Sequence, residues 1–155
     1  MRLKRFSVAK RRIIVSSTTL RLIIAGILFV HGLGHVLGIM AALNLSKQED
    51  WSSHSWLLTG LVGEKVSQVI CFLLFLAVLL GFIGAAMALM GWLLPHEWWR
   101  SLSVVSAAIS LVSLGLFWYA FPKFFPNKIG AIAVDIAVLV GFLWLDWPTE
   151  AAVGY

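Results

Sequence analysis

Four long apolar stretches alternate with polar joints along the 155 residues. They cover about 20–43, 66–94, 102–121 and 129–147. A helix needs ~20 predominantly apolar residues to cross a bilayer, and each stretch reaches that length. Backbone polar groups in lipid must be satisfied within the chain, and four spans cannot close a barrel, so all four are expected to be helices. The pattern predicts an all-α, four-helix transmembrane bundle with up-down-up-down connectivity. It forms a single membrane domain at 20–155 behind a basic head at 1–19. Span two is longer than needed and is expected to tilt. Spans three and four stop at Pro122 and Pro148, where the ring removes a backbone donor.

The joints differ. Those around Pro95–Arg100 and Pro122–Lys128 are tight, which makes the helices they connect antiparallel neighbours. The first joint, 44–65, opens on polar residues and turns semi-apolar from Trp51 to Val62. Trp51, Trp56, Leu57, Leu58 and Leu61 are expected to face lipid from a short surface helix. A joint of this length between packed spans is often functional.

Composition excludes a soluble globule. Hydrophobic residues make up 61% of the chain and charged residues 12%, against about 25% charged in soluble domains. The eight tryptophans suit the two membrane–water interfaces. The net charge of +5 does not imply nucleic acid. Arg2, Lys4, Arg5, Lys10, Arg11, Arg12 and Arg21 all lie before or at the first span, as an orientation signal and a contact for anionic lipids. The N-terminus is therefore expected in the cytoplasm, and an even number of spans returns the C-terminus there. Cys71, the one cysteine, rules out an intramolecular disulfide and a Cys-x-x-Cys redox site. It reads as a small buried hydrophobe. No internal repeat supports an inverted-repeat transporter, and no row of charges supports a channel.

Three ionisable residues lie well inside the spans: His31 and His35 in span one and Asp135 in span four. An unpaired charge at that depth costs at least ~2.5–3.5 kcal/mol, so such residues are functional candidates. Counted from the span middles, His35 and Asp135 each lie about 5 Å toward the outer face. The expectation is a direct His35–Asp135 hydrogen bond, able to relay a proton, hold a polar head group such as that of a quinone, or fix two helices in register. Asp146 lies at the water-accessible end of span four. Ser103, Ser106, Ser110 and Ser113 line one face of span three. Each is expected to bond its own backbone four residues back, with Ser106 and Ser110 as candidate walls of a small polar cavity.

A metal is the alternative chemistry. His31 and His35, at i and i+4, share a helix face, with Asp135 as a third ligand and His54 of joint one as a fourth. Bis-histidine haem is disfavoured, because spans two to four contain no histidine to approach the second face of the ring. His96 lies in the joint before span three and reads as an interfacial residue. Gly34 and Gly38 form a small-xxx-small pair expected to admit span two, whose Gly81, Gly84, Ala85, Ala86 and Ala88 are equally small. The same pair would also serve a homodimer or another membrane subunit.

The run Leu28-Phe29-Val30-His31-Gly32-Leu33-Gly34-His35 resembles the first span of small bacterial four-helix membrane proteins of the DoxX-like type, which carry a His-Gly pair there. The Trp56–Gly60 and Trp98-Trp99 segments are similar to joints of such proteins. The resemblance implies a bacterial inner-membrane location and, from the members linked to quinone-coupled sulfur oxidation, a subunit of a quinone-linked oxidoreductase. It carries no catalytic residue over to this chain. The residues themselves favour a non-enzymatic membrane protein that binds a small amphipathic ligand or a membrane partner.

Overall fold

The computed structural model describes residues 16–45, 48 and 50–155. Most of the basic head, and Ser46, Lys47 and Glu49 of joint one, lie outside the described residues. The described chain is all-helical, with four helical stretches long and apolar enough to cross a membrane: Ser17–Ala42, Glu64–Leu89, His96–Leu116 and Pro126–Trp144.

Span one is two helices, α1 (Ser17–Gly34) and α2 (Val36–Ala42), joined at His35. The Ser16 side chain caps α1 by accepting from the Thr19 amide at 3.1 Å. At the break the His35 amide bonds the Gly32 carbonyl at 3.0 Å, a tighter turn than α-helix. A five-residue helix, α3 (Leu58–Val62), lies in joint one, and span two is α4 (Glu64–Leu89). Span three is α5 (Trp99–Leu116), preceded by a short 3₁₀ turn at His96–Trp98. Span four is α6 (Ile129–Leu139) between π-helical turns at Phe124–Lys128 and Val140–Trp144. A last short helix, α7 (Glu150–Val153), ends the chain.

Several boundaries differ from the expected ones, each for a local reason. Span two stops at Leu89, not Leu94. Gly91 takes a positive φ of 69°, while Trp92 and Gly91 amides bond the carbonyls of Met87 at 2.8 Å and Ala88 at 2.9 Å. This closing pattern satisfies the final carbonyls of a helix whatever the apolarity of the residues beyond. Asn44, φ 51°, ends span one similarly, with the Leu45 amide on the Met40 carbonyl at 3.0 Å. Span three begins earlier and ends at Leu116, where Phe117 leaves helical geometry (ψ 57°). Span four begins earlier too, at Pro126, because the π turn accommodates the proline.

Span two is the centre of the assembly. It packs against both segments of span one and against span three, and span three packs on span four. Spans one and four barely meet. Glycines face the close approaches, though not in the pairing expected. Gly32 abuts Phe82 and Gly38 abuts the ring of Phe75, both from span two, whereas Gly34 points into open space. Gly81 of span two faces Ser106 of span three.

Two apolar cores result. One gathers Leu28, Phe82, Leu89, Trp99 and Val153; the other gathers Ala41, Cys71, Phe75, Leu114 and Phe117. Val153 carries α7 onto the start of α1, where Arg21 lies over the Tyr155 ring at 5.0 Å. The C-terminus and the start of span one therefore share one end of the bundle. Joint one folds over the other end. Trp51 does not face lipid as expected: its indole N–H reaches the carbonyls of Ala120 at 2.8 Å and Leu37 at 3.2 Å. The Ala120 carbonyl closes the short turn Trp118–Ala120 and has no following helical turn to pair it, while the Leu37 carbonyl, inside α2, takes the indole as an additional donor. Trp56 and Leu61 are exposed, as anticipated for a surface segment.

Candidate functional site

A polar layer separates the two cores. His31 Nε2 lies 2.8 Å from Asp135 Oδ1. Ser110 Oγ donates to Asp135 Oδ2 at 2.5 Å and lies 3.3 Å from His35 Nε2. Asp135 is fully buried and His35 is 1% exposed. The cluster joins spans one, three and four through a single carboxylate. That carboxylate is an acceptor with room for both donors.

The direct bond is therefore His31–Asp135, not the expected His35–Asp135. His35 reaches the carboxylate only through Ser110. The difference in depth arises because span four starts and ends three residues earlier than the expected 129–147. With its true bounds, Pro126–Trp144, Asp135 sits at the middle of the span, level with His31 near the middle of Ser17–Ala42.

The hydrogen bonds fix the protons. The one proton of Ser110 is directed to Asp135, so its oxygen accepts from His35 Nε2–H. Neutral imidazole then carries its lone pair on Nδ1, and His35 Nδ1 is buried without a hydrogen-bond partner. Buried polar atoms are nearly always paired, which makes this nitrogen the open position of the cluster. The ring itself is held firmly. It stacks between Phe75 and Phe82, with centroids at 6.0 and 6.1 Å and interplanar angles of 22° and 9°. Phe121 meets it edge-on at 5.6 Å. His31 lies edge-on to Phe82 at 4.6 Å and to His35 at 5.0 Å. This aromatic clamp had no signal in the sequence beyond the seven-residue spacing of Phe75 and Phe82.

Because spans one and four barely meet, a cleft of about 640 Å³ opens between them. His31 and His35 line it, together with Val30, Phe121 and Val134. Its rim includes Ile23, Ile27 and Val30, at 50–67% exposure. Three glycines, Gly26, Gly34 and Gly130, line the cleft and have nothing within 4 Å of where a side chain would begin. Their lack of side chains keeps it open. At the far end the Trp51 indole ties the Leu37 and Ala120 carbonyls together.

No family model, curated protein or solved structure matches the chain. The site has to be read from its own chemistry.

The remaining candidates separate. Ser103 and Ser113 bond back to Trp99 and Ile109 carbonyls at 2.7 and 2.6 Å, as expected. Ser110 does not, and Ser106 faces Gly81. A ring nitrogen of His31, one of His35 and a carboxylate oxygen of Asp135 all lie within 4.8 Å of one another. His54 is exposed and outside that group, so it is not a fourth ligand. Cys71 is buried in the second core. Asp146 pairs with Arg100 at 2.7 Å. His96 pairs with Glu150 at 2.7 Å and stacks on Tyr155 at 3.3 Å, so it latches the C-terminal helix.

Proposed function

We propose that this chain is a multi-pass membrane protein that binds a small amphipathic ligand in the cleft between spans one and four. The ligand's polar head meets His31 and His35, and its tail lies along Ile23, Ile27 and Val30. The observation that carries this reading is the coincidence of an apolar cleft with two histidines in its lining, one of which holds a buried nitrogen without a hydrogen-bond partner. Small-molecule sites are mostly apolar pockets of this size with a few placed polar groups. The exposed isoleucine and valine rim suits access from the acyl chains of the bilayer. The polar residues of the site are then the means of recognition, and no bond-breaking step is required of them.

A second reading has a specific support. The unpartnered His35 Nδ1 is a hydrogen-bond acceptor, which would suit a head group with a hydroxyl. A quinol is a membrane-soluble molecule of that kind. This agrees with the DoxX-like resemblance of the first span and would make the chain a subunit of a quinone-linked oxidoreductase. For orientation, seven basic residues at or before span one favour a cytoplasmic N-terminus. In a bacterium the location would be the inner membrane.

The test is native mass spectrometry and organic extraction of protein purified from its own membrane, for wild type and Gly130→Leu. Gly130 lines the cleft with open space beside it, so leucine there fills the cavity without displacing a core residue. The expected result is one amphiphile per wild-type chain and a sharp loss in the variant at unchanged helicity. Equal lipid content in both proteins would overturn the reading.

A further inference from the structure

We infer that His31, His35 and Asp135 form a binding site for one divalent transition-metal ion, set at the inner end of the cleft. The inference goes beyond the amphiphile reading and does not need it, since it rests on the cluster alone.

Three observations carry it. First, the donor set is right. Two imidazoles and one carboxylate are the ligands of open zinc and non-haem iron sites, which leave remaining positions for water or substrate. An all-oxygen cation such as magnesium or calcium has no reason to choose two histidines. Second, the geometry is close. Ligand bonds of ~2.0–2.1 Å at a tetrahedral ion place donor atoms ~3.3 Å apart. The three donors here already lie within 4.8 Å of one another, with His31 and Asp135 at 2.8 Å. The His35 ring is already fixed by its aromatic neighbours, so the ion would be met by small shifts of His31 and Asp135, with the His31 proton carried on Nδ1 and Nε2 left free to ligate.

Third, the cluster contains what an ion would complete. His35 Nδ1 is buried and has no partner. Asp135 is fully buried at the middle of span four. No lysine or arginine among the described residues pairs with it. An ion would supply this carboxylate with a permanent cation beside the neutral His31, and, ligated through Nδ1, His35 would keep its Nε2–H on Ser110 and gain the partner that Nδ1 lacks. Ser110 keeps its hydrogen bond to Oδ2 and orients the ligand oxygen, which makes it a positioning residue.

The arrangement also fixes the open side of the ion. His31 and His35 line the cleft and Asp135 does not, so the carboxylate lies behind the ion and the vacant position faces the cleft. Two neutral imidazoles and one carboxylate leave a divalent ion with one unbalanced positive charge. In an apolar setting that favours an anionic fourth ligand, such as hydroxide or the carboxylate of an amphiphile.

The experiment uses the full chain in detergent, carrying an affinity tag free of histidine. The protein is stripped with a chelator, reloaded with zinc or cobalt(II), desalted and assayed for metal per chain. The wild type is expected to hold one ion. Ser110→Ala should weaken binding by about 10–100-fold, and Asp135→Asn should abolish stoichiometric binding. His54→Ala and His96→Ala should retain the full ion. ¹⁵N NMR of histidine-labelled wild type supplies a second readout that does not depend on the folding of Asp135→Asn. Zinc should shift two of the four imidazoles and leave two unmoved. Wild type that binds no stoichiometric ion, or keeps it in Asp135→Asn, overturns the inference, as does a zinc shift confined to His54 or His96. Lipid extracted from the same samples separates this outcome from the earlier proposal. Metal without amphiphile rejects only the cleft ligand, and amphiphile without metal rejects only the ion.

Discussion

Replacing Asp135 by alanine removes the acceptor of two hydrogen bonds, from His31 at 2.8 Å and Ser110 at 2.5 Å. The two orphaned donors do not suffer equally. Ser110 is on a helix whose other serines bond their own backbone: Ser103 to Trp99 and Ser113 to Ile109. It can rotate to the Ser106 carbonyl and recover a partner. His31 has no such recourse. A buried donor left unmade costs about 1–3 kcal/mol, so the expected loss for Asp135→Ala is about 1–3 kcal/mol, not twice that. The pairwise coupling should be smaller, since interhelical hydrogen bonds in membranes average ~0.6 kcal/mol and reach ~1.7. Cys71 provides the assay. It is the sole cysteine and has no exposed surface, so its alkylation in a denaturant series reports opening of the bundle. A double-mutant cycle of His31→Ala with Asp135→Ala should give a coupling of ~0.6–1.7 kcal/mol. The cycle of His35→Ala with Asp135→Ala should give less, and should vanish in a Ser110→Ala background. Stronger coupling at His35 than at His31 would refute the arrangement described here.

Other perturbations have defined outcomes. Gly38→Leu drives a side chain into the Phe75 ring and should cost about 1–3 kcal/mol or more, while Gly34→Leu, which faces open space, should leave the Cys71 midpoint nearly unchanged. Trp51→Ala leaves the Leu37 and Ala120 carbonyls without their indole donor and should destabilise by about 1–3 kcal/mol. Trp56→Ala, at a residue 67% exposed, should cost clearly less in the same assay. Glu150→Ala removes the partner of both His96 and Trp99. Limited proteolysis should then release the C-terminal segment faster than in wild type, with the span contacts retained.

What the sequence made legible was governed by hydrophobicity. Four spans follow from apolar length, and the back-bonding of Ser103 and Ser113 follows from helical periodicity. What escaped was set by local backbone geometry and by packing. The cap at Gly91 ends span two before its apolar residues run out, and the π turn carries span four through Pro126. A shift of three residues at both ends of span four, to Pro126–Trp144, moves Asp135 from an off-centre depth to the middle, and with it changes the histidine it meets. His31, His35, Asp135 and Ser110 were recognisable as polar residues with nowhere to go in lipid. Their connectivity was not, because it depends on which helix faces are turned inward. The cleft was not legible either: it exists because spans one and four meet at little more than the His31–Asp135 bond, and Gly26, Gly34 and Gly130 read equally well as close-packing residues. Trp51 reads as an interfacial anchor because nothing in the chain marks the Ala120 carbonyl as needing a donor.

The most direct test is an experimental density map of the protein taken from its native membrane at a resolution that shows side chains. The expected map shows a cleft between spans one and four with elongated density along Ile23 and Ile27, ending at His31 and His35. Spans one and four packed shut, with Gly26 and Gly130 in contact with the opposite helix and no room beside the histidines, would contradict it.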